Sequence, residues 1–97
     1  MIARIAYSDP VPSEVAAARR ENLVRRFKPA LAKQPGLLGG YWMVDDAGRH
    51  ISLTLWDSRE AMEAGGRAAS AAPLLPGQRS ELLPSPRVEI YEVWERF

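Results

Sequence analysis

The chain has 97 residues, enough for one domain, predicted over 1–97, and its 46% hydrophobic and 26% charged content is typical of a globular protein. A formal net charge of +1 excludes the strongly basic surface that binds nucleic acid or an anionic membrane, so neither is expected as a partner. The chain contains no cysteine, which excludes disulfides, thiol catalysis and cysteine-bound metals. Together with an N-terminus that lacks signal-peptide features, this favours the cytoplasm.

Four segments have the composition of β-strands. Residues 2–8 are short and largely apolar and are followed by an Asp-Pro turn signal. Residues 38–44 and 50–56 are rich in strand-forming residues and are separated by the turn composition Asp-Asp-Ala-Gly, which predicts an antiparallel hairpin. A last strand is predicted over 86–94.

Two helices are predicted between these strands. The first runs from 14 to about 34, with Ser13 as its N-cap and a kink or tighter turn just before Pro29, because proline disrupts an interior helical turn. The second begins at a sequence resembling a capping box around Ser58 and runs to about 69. The proline-rich segment 70–86 is predicted as a loop with a short helical turn at 78–83. The apolar face of the first helix comprises Ala16, Leu23, Val24, Phe27, Ala30 and Leu31.

The element order βαββαβ predicts an α+β, ferredoxin-like fold, in which a four-stranded antiparallel sheet carries two helices on one face. Strand alternation places Ile51, Leu53 and Leu55 on one face of the sheet and Trp56 on the other. Large apolar side chains therefore occur on both faces, and two helices can cover only one of them. Because a soluble monomer rarely exposes so much apolar surface, a homodimer is expected.

Three segments carry a family resemblance: PGLLGGYW at 35–42, SLTLWDSREAM at 52–62 and VEIYEV at 88–93. They resemble the antibiotic-biosynthesis-monooxygenase-like family of the dimeric α/β-barrel superfamily, over nearly the whole chain. The resemblance implies two ferredoxin-like sheets facing each other in a dimer. In some members it also implies a small-molecule cavity between the helices and the sheet of each subunit.

The resemblance also bears on cofactors. The haem-degrading branch of the superfamily needs an asparagine on the first strand, a tryptophan at the position of Trp56 and a histidine on the second helix. Here the first strand offers Tyr7 and Ser8 instead, and the predicted second helix has no histidine. Nucleotide-binding fingerprints are absent from the sequence, and the one histidine, His50, has no neighbouring ligands for a metal. Haem degradation is therefore disfavoured, and neither a cofactor nor a metal is predicted.

The candidate substrate-binding residues are mostly aromatic. Each of them has two interpretations, either the wall of an aromatic-substrate cavity or ordinary packing. Met62 belongs to them as the one bulky residue on an otherwise small inner face of the second helix. His50 follows a turn and is expected to be exposed, which disfavours a catalytic role. The aromatic candidates are Trp56, Tyr41, Trp42 and Tyr7.

Arg20 is the charged candidate. On a helical wheel it falls near the middle of the first helix's apolar face, between Ala16 and Val24. A guanidinium there is either an anion or phenolate clamp facing the cavity, or a snorkelling side chain or salt-bridge partner of Glu89 or Glu92.

Two functions remain open. The first is a cofactor-independent, monooxygenase-like enzyme acting on an aromatic or quinone-type small molecule, which would itself supply the electrons for O₂. The second is a non-catalytic small-molecule-binding or structural protein of the same superfamily. A cavity of about 300 Å³ beside Trp56 would favour the first.

Overall fold

The computed structural model describes residues 1–78 and 86–97. Most of the predicted helical turn at 78–83 lies outside these residues. None of the helices in the described ranges is long and apolar enough to cross a membrane. The elements in chain order are β1 (Ile2–Ser8), α1 (Ser13–Asn22), a π-helical turn (Leu23–Phe27), α2 (Lys28–Ala32), β2 (Leu37–Val44), β3 (His50–Trp56), α3 (Arg59–Ser70) and β4 (Arg87–Glu92).

The four strands form one antiparallel sheet in the order β2-β3-β1-β4, with the helices packed on it. The hairpin of β2 and β3 supplies one side, and β1 lies between β3 and β4. In this register Ile2 is opposite Trp56 on one side and Glu92 on the other, while Ser8 is opposite His50. The predicted ferredoxin-like architecture is thus confirmed.

The first predicted helix consists of three consecutive helical segments. It begins at Ser13, but Pro12 is the N-cap residue and no side chain caps the helix, so the prediction of Ser13 as N-cap is wrong. Ahead of Pro29 the chain widens into a π-helical turn, in which the Lys28 N–H donates to the carbonyl of Leu23. A wider turn moves the preceding carbonyls away from the proline ring, which differs from the kink or tighter turn that the sequence predicts.

Helix α3 is capped as the sequence predicts. The Ser58 Oγ accepts a hydrogen bond from the backbone N–H of Ala61 at 3.1 Å. The helix then crosses the sheet, and Gly65 lies directly on the six-membered ring of Trp56, where a Cβ would overlap the ring carbons Cζ3 and Cη2. This contact fixes the side of the sheet that the helices cover.

The covered side of the sheet is the more polar one. Because paired residues point to the same face, Arg4, Ser52 and Thr54 share the helix-facing side with Trp56. The opposite side, here called the open face, holds the apolar set of the central strands, together with large side chains that remain exposed. Its apolar and aromatic members are Ala3, Ile5, Tyr7, Tyr41, Met43, Ile51, Leu53, Leu55 and Tyr91, of which Tyr41 is 64% and Tyr91 48% exposed, and its charged members are Arg87 and Glu89 on β4.

Candidate functional site

A cavity of about 270 Å³ lies between the helix-facing side of the sheet and the helices. Its floor comes from β1, β2 and β3, and its roof from α1, the π-helical turn, α2 and α3. The volume is slightly below about 300 Å³, where ligand pockets usually begin. The cavity lies beside Trp56, as the hypothesis of a substrate site requires. Its lining includes Arg4, Ser8, Arg19, Asn22, Phe27, Leu31, Trp42, His50, Thr54, Trp56 and Met62.

One end of the cavity is formed by Trp56, which is 1% exposed. Its indole Nε1–H donates to the Thr54 Oγ1 at 3.0 Å, so the buried donor is satisfied within the protein. The outer ring packs under Gly65 of α3. The two interpretations of Trp56 therefore combine, because the side chain packs the sheet against α3 and also contributes an apolar wall to the cavity.

The other end of the cavity is cationic. Arg19 is 5% exposed, and its Nε and Nη1 atoms are buried with no hydrogen-bond partner in the described part of the chain. The ring nitrogens of His50, Nδ1 and Nε2, are likewise buried and unpartnered. Ser8 lies opposite His50 in the strand register and lines the same space.

A second guanidinium, that of Arg4, lines the cavity nearer to Trp56, opposite Thr54 in the register. Burial lowers the pKa of Arg4 and of Arg19, because the charged form loses hydration. Among residues 1–78 and 86–97, no aspartate or glutamate lines this cavity and none forms an ion pair with either arginine. The interior therefore carries positive charge without a counter-ion from these residues.

A third arginine in the interior, Arg26, is hydrogen-bonded within the protein and has a structural role. Its guanidinium donates to the carbonyls of Ser70, Ala72 and Pro73, at distances from 2.6 to 3.1 Å, and to Asn22 Oδ1 at 3.3 Å. These bonds tie the π-helical turn to the C-terminal end of α3. With its donors engaged in this way, Arg26 holds two of the roof elements together and, unlike Arg4 and Arg19, is not part of the cavity lining.

Three of the six predicted candidates line the cavity, namely Trp56, Trp42 and Met62. Arg20 is exposed and does not line it, so the wheel placement of Arg20 on the inner face is wrong, and the neighbouring Arg19 points inward instead. The residues of α1 that face the cavity are polar, so a search for an apolar stripe along the helix does not identify them.

The other two candidates, Tyr41 and Tyr7, belong to the open face rather than to the helix-facing side. Tyr41 is largely exposed, and the ring of Tyr7 lies 4.6 Å from the guanidinium carbon of Arg87.

Sequence reasoning did not single out Arg4 or Arg19 as site residues, and it set His50 aside as exposed. His50 is half-buried, and its ring nitrogens face the cavity. One signal could have found it: His50 has the same strand parity as Trp56, so a cavity beside Trp56 predicts that both side chains point into it.

Comparison with known proteins bears on this site. The family model for antibiotic biosynthesis monooxygenases matches residues 1–65, two thirds of the chain. The chain belongs to the antibiotic biosynthesis monooxygenase family. A search of curated proteins gives no match.

Solved structures share the fold of this family member along their whole length. The haem degrader MhuD of Mycobacterium tuberculosis, with two haems bound in its active site, is 23% identical with a TM-score of 0.68, covering 100% of this chain and 99% of that one. The ActVA-Orf6 monooxygenase of Streptomyces coelicolor, in complex with nanaomycin D, is 12% identical with a TM-score of 0.69, covering 99% and 89%. SnoaB of Streptomyces nogalater, a cofactor-independent oxygenase, is 12% identical with a TM-score of 0.68, covering 98% and 94%. At these identities the likeness shows the fold alone.

Proposed function

We propose that this protein is a cofactor-independent, monooxygenase-like enzyme that acts on an aromatic or quinone-type small molecule. The observation that carries the proposal is the cavity itself, which combines the apolar wall of Trp56 with guanidinium groups that have no counter-ion among residues 1–78 and 86–97. A planar, electron-rich phenolate suits both features, since its ring stacks on an aromatic wall and its oxygen carries negative charge. The family match and the two oxygenase neighbours support the same class.

The chemistry needs no external reductant. When a phenol with a hydrogen on its para carbon becomes a quinone, its para C–H and phenolic O–H bonds break. One atom of O₂ forms the new carbonyl, and the other leaves with both hydrogens as water. All of the electrons that reduce O₂ come from the substrate, so the protein has to bind, deprotonate and shield it.

Named residues can supply these contributions. Arg4 lies opposite Thr54, close to Trp56 along the strand, and a guanidinium there favours the phenolate over the phenol, which lowers the pKa of a bound phenol. Trp42 and Met62 add apolar surface around the ring. The buried position of Trp56 keeps water from that end of the cavity.

Oxygen uptake tests the proposal directly. Anthrone, whose enol tautomer is a phenol, is incubated with the protein without added metal, flavin or nicotinamide. We expect one O₂ consumed per anthraquinone formed, with one ¹⁸O atom from ¹⁸O₂ in the product. Arg4→Met should slow this turnover, whereas Arg25→Met, which removes a largely exposed cation that is paired with Glu21, should not.

The alternative is a non-catalytic small-molecule-binding or structural protein. Saturable binding of anthrone without oxygen uptake above the buffer rate would establish the binding protein and reject the enzyme. Absence of both binding and uptake would leave the structural role.

We also propose that the protein works as a homodimer in the cytoplasm. The dimer follows from the open face, where Tyr41, Met43 and Tyr91 remain exposed beside the apolar residues of the central strands. A second copy of the same face is the simplest cover for such a surface.

A further inference from the structure

We propose that the cationic end of the cavity, formed by Arg19, His50 and Ser8, is an anion subsite that binds a carboxylate carried on a side chain of the aromatic ligand. The inference rests on the proposed function for the identity of the ring and names the second half of the ligand. It assigns a role to the two most deeply buried unpartnered groups of the cavity.

Arg19 is the main observation. A guanidinium carries five N–H donors and stays charged, so burying it without partners costs free energy that a bound anion would restore. Two of its nitrogens, Nε and Nη1, have no hydrogen-bond partner among the described residues, and the side chain is 5% exposed and lines the cavity. These two atoms direct N–H donors to different sides of the guanidinium, and each of them can donate a charge-assisted hydrogen bond to an anion in the cavity.

His50 adds a second unpartnered group at the same end. Both of its ring nitrogens are buried with no partner in residues 1–78 and 86–97, although an imidazole always has at least one N–H to donate. Ser8, opposite His50 in the register, offers a hydroxyl that also donates. The end of the cavity therefore presents only groups that can donate hydrogen bonds, and no carboxylate from the described residues.

No aspartate or glutamate in the described part of the chain neutralises Arg19. A second cavity, of about 690 Å³, is bordered by Arg19, Asp9 and Asp45. Asp45 is engaged elsewhere, since its Oδ2 pairs with Arg49 Nε at 2.6 Å and its Oδ1 accepts from the backbone N–H of Arg49 at 2.9 Å. Neither Asp9 nor Asp45 forms an ion pair with Arg19 in the described ranges.

The separation of the two ends defines the ligand class. Trp56 and His50 are the last and first residues of β3, so their Cα atoms are about 20 Å apart along an extended strand. The side chains of both ends line one cavity, so a ligand spans less than this backbone distance, but a carboxylate attached directly to a ring against Trp56 would lie nearer to Arg4 and Thr54 than to His50. The carboxylate must therefore extend from the ring on a flexible chain instead of being attached directly to it.

A matched pair of ligands tests the subsite without any turnover. Calorimetry compares 4-(1-naphthyl)butanoate with its primary amide, which has the same ring and length but no charge. We expect the wild type to bind the acid about tenfold more tightly or better, as for charge-assisted hydrogen bonds. Arg19→Met should abolish this preference and leave amide affinity within about twofold, because only the charge-assisted bonds to the carboxylate are lost. Arg20→Met, which removes the neighbouring exposed charge, should preserve the preference.

The outcomes separate this inference from the proposed function. Equal affinities of the wild type for acid and amide would overturn the anion subsite and leave the ring site standing, whereas binding of neither would overturn both. A preference for the acid without oxygen uptake would support the subsite and reject only the enzyme. If Arg19→Met does not fold, the acid-to-amide affinity ratios of the wild type and of Arg19→Lys decide, since lysine keeps the charge but loses the planar set of fixed N–H donors and should bind the acid with a smaller preference.

Discussion

Arg25 and Arg26 are adjacent in the π-helical turn and have opposite surroundings. Arg26 is 8% exposed and donates to three main-chain carbonyls at the end of α3 and to Asn22. Arg25 has a side chain that is 65% exposed and pairs with Glu21 one turn earlier. The same residue type thus has two very different energetic roles at consecutive positions.

Replacing each arginine by methionine should separate these roles. Arg26→Met leaves several partly buried carbonyls without a donor, and we expect the free energy of unfolding to fall by about 2–4 kcal/mol. Arg25→Met removes only an exposed i,i+4 pair, which contributes about 0.3–0.5 kcal/mol. Urea denaturation of both variants checks this. Equal losses in the two variants would show that the Arg26 bonds do not hold the end of α3.

The two neighbouring arginines of α1 show what a sequence can and cannot predict. Strand bounds and helix order follow from composition and alternation, because these patterns report directly on which backbone conformation is favoured. The side of α1 and of the π-helical turn that faces the protein interior carries Arg19, Asn22 and Arg26, which are all buried and all polar. An apolar pattern cannot identify a helix face whose inner positions are charged, so Arg20 was assigned to the face that Arg19 occupies.

At the scale of the elements, the two adjacent glycines of α3 differ in what surrounds them. A Cβ at Gly65 would overlap the ring of Trp56, whereas a Cβ at Gly66 would meet nothing within 4 Å. Both positions carry the same helix-propensity penalty of about 1 kcal/mol relative to alanine. The contact with Trp56 is therefore the main difference between alanine substitutions at the two sites.

We expect Gly66→Ala to raise the unfolding midpoint, since about 0.5–1 kcal/mol of helix propensity corresponds to several degrees in a domain of this size. Gly65→Ala should lower the midpoint, because overpacking against a rigid ring costs about 1–3 kcal/mol. Thermal unfolding followed by circular dichroism distinguishes the two. A rise in both variants would mean that α3 can shift away from Trp56 at little cost.

The turn between β2 and β3 is organised by Asp45. Its carboxylate accepts hydrogen bonds from the backbone N–H groups of Ala47 and Arg49 and pairs with the Arg49 side chain, and these contacts hold the pKa of Asp45 below its usual value. A depressed pKa in the folded state stabilises the protein above the carboxyl's unfolded pKa. That contribution is lost as the pH falls through the lower, folded value.

A titration followed by NMR should place the pKa of Asp45 below the ordinary value of about 3.9. Arg49→Ala should raise it part of the way back, because the backbone donors remain. A pKa of Asp45 that does not move in this variant would exclude the Arg49 side chain as a cause of the shift.

At the scale of the whole molecule, the open face predicts self-association. Light scattering after size exclusion should give twice the chain mass of 10.8 kDa. Tyr41→Glu places a charge on the open face and should shift the population toward monomer. Val24→Glu, at an exposed position of the π-helical turn, should leave the dimer intact. A soluble wild-type species of 10.8 kDa would contradict the prediction.

Haem binding is expected to be weak despite the shared fold with MhuD. The chain has one histidine, His50, and it lies on β3, so α3 offers no imidazole to haem iron. Titration with haem should give no saturable change in the Soret band at one equivalent. Stoichiometric binding followed by turnover with a reductant would contradict this expectation. Loss of that binding in His50→Ala would then identify the axial ligand.

The polarity of the two sheet faces has a consequence for how the protein can change over evolution. Most of the fully buried apolar side chains, among them Trp56 and Met62, lie between the sheet and the helices, and the same side of the sheet carries arginine, serine, threonine and histidine. The cavity lining therefore contains two kinds of position, the apolar residues that hold the helices on the sheet and polar residues such as Ser52 and Thr54. Substitution of the polar kind would change what the cavity accepts at a smaller loss of buried apolar surface.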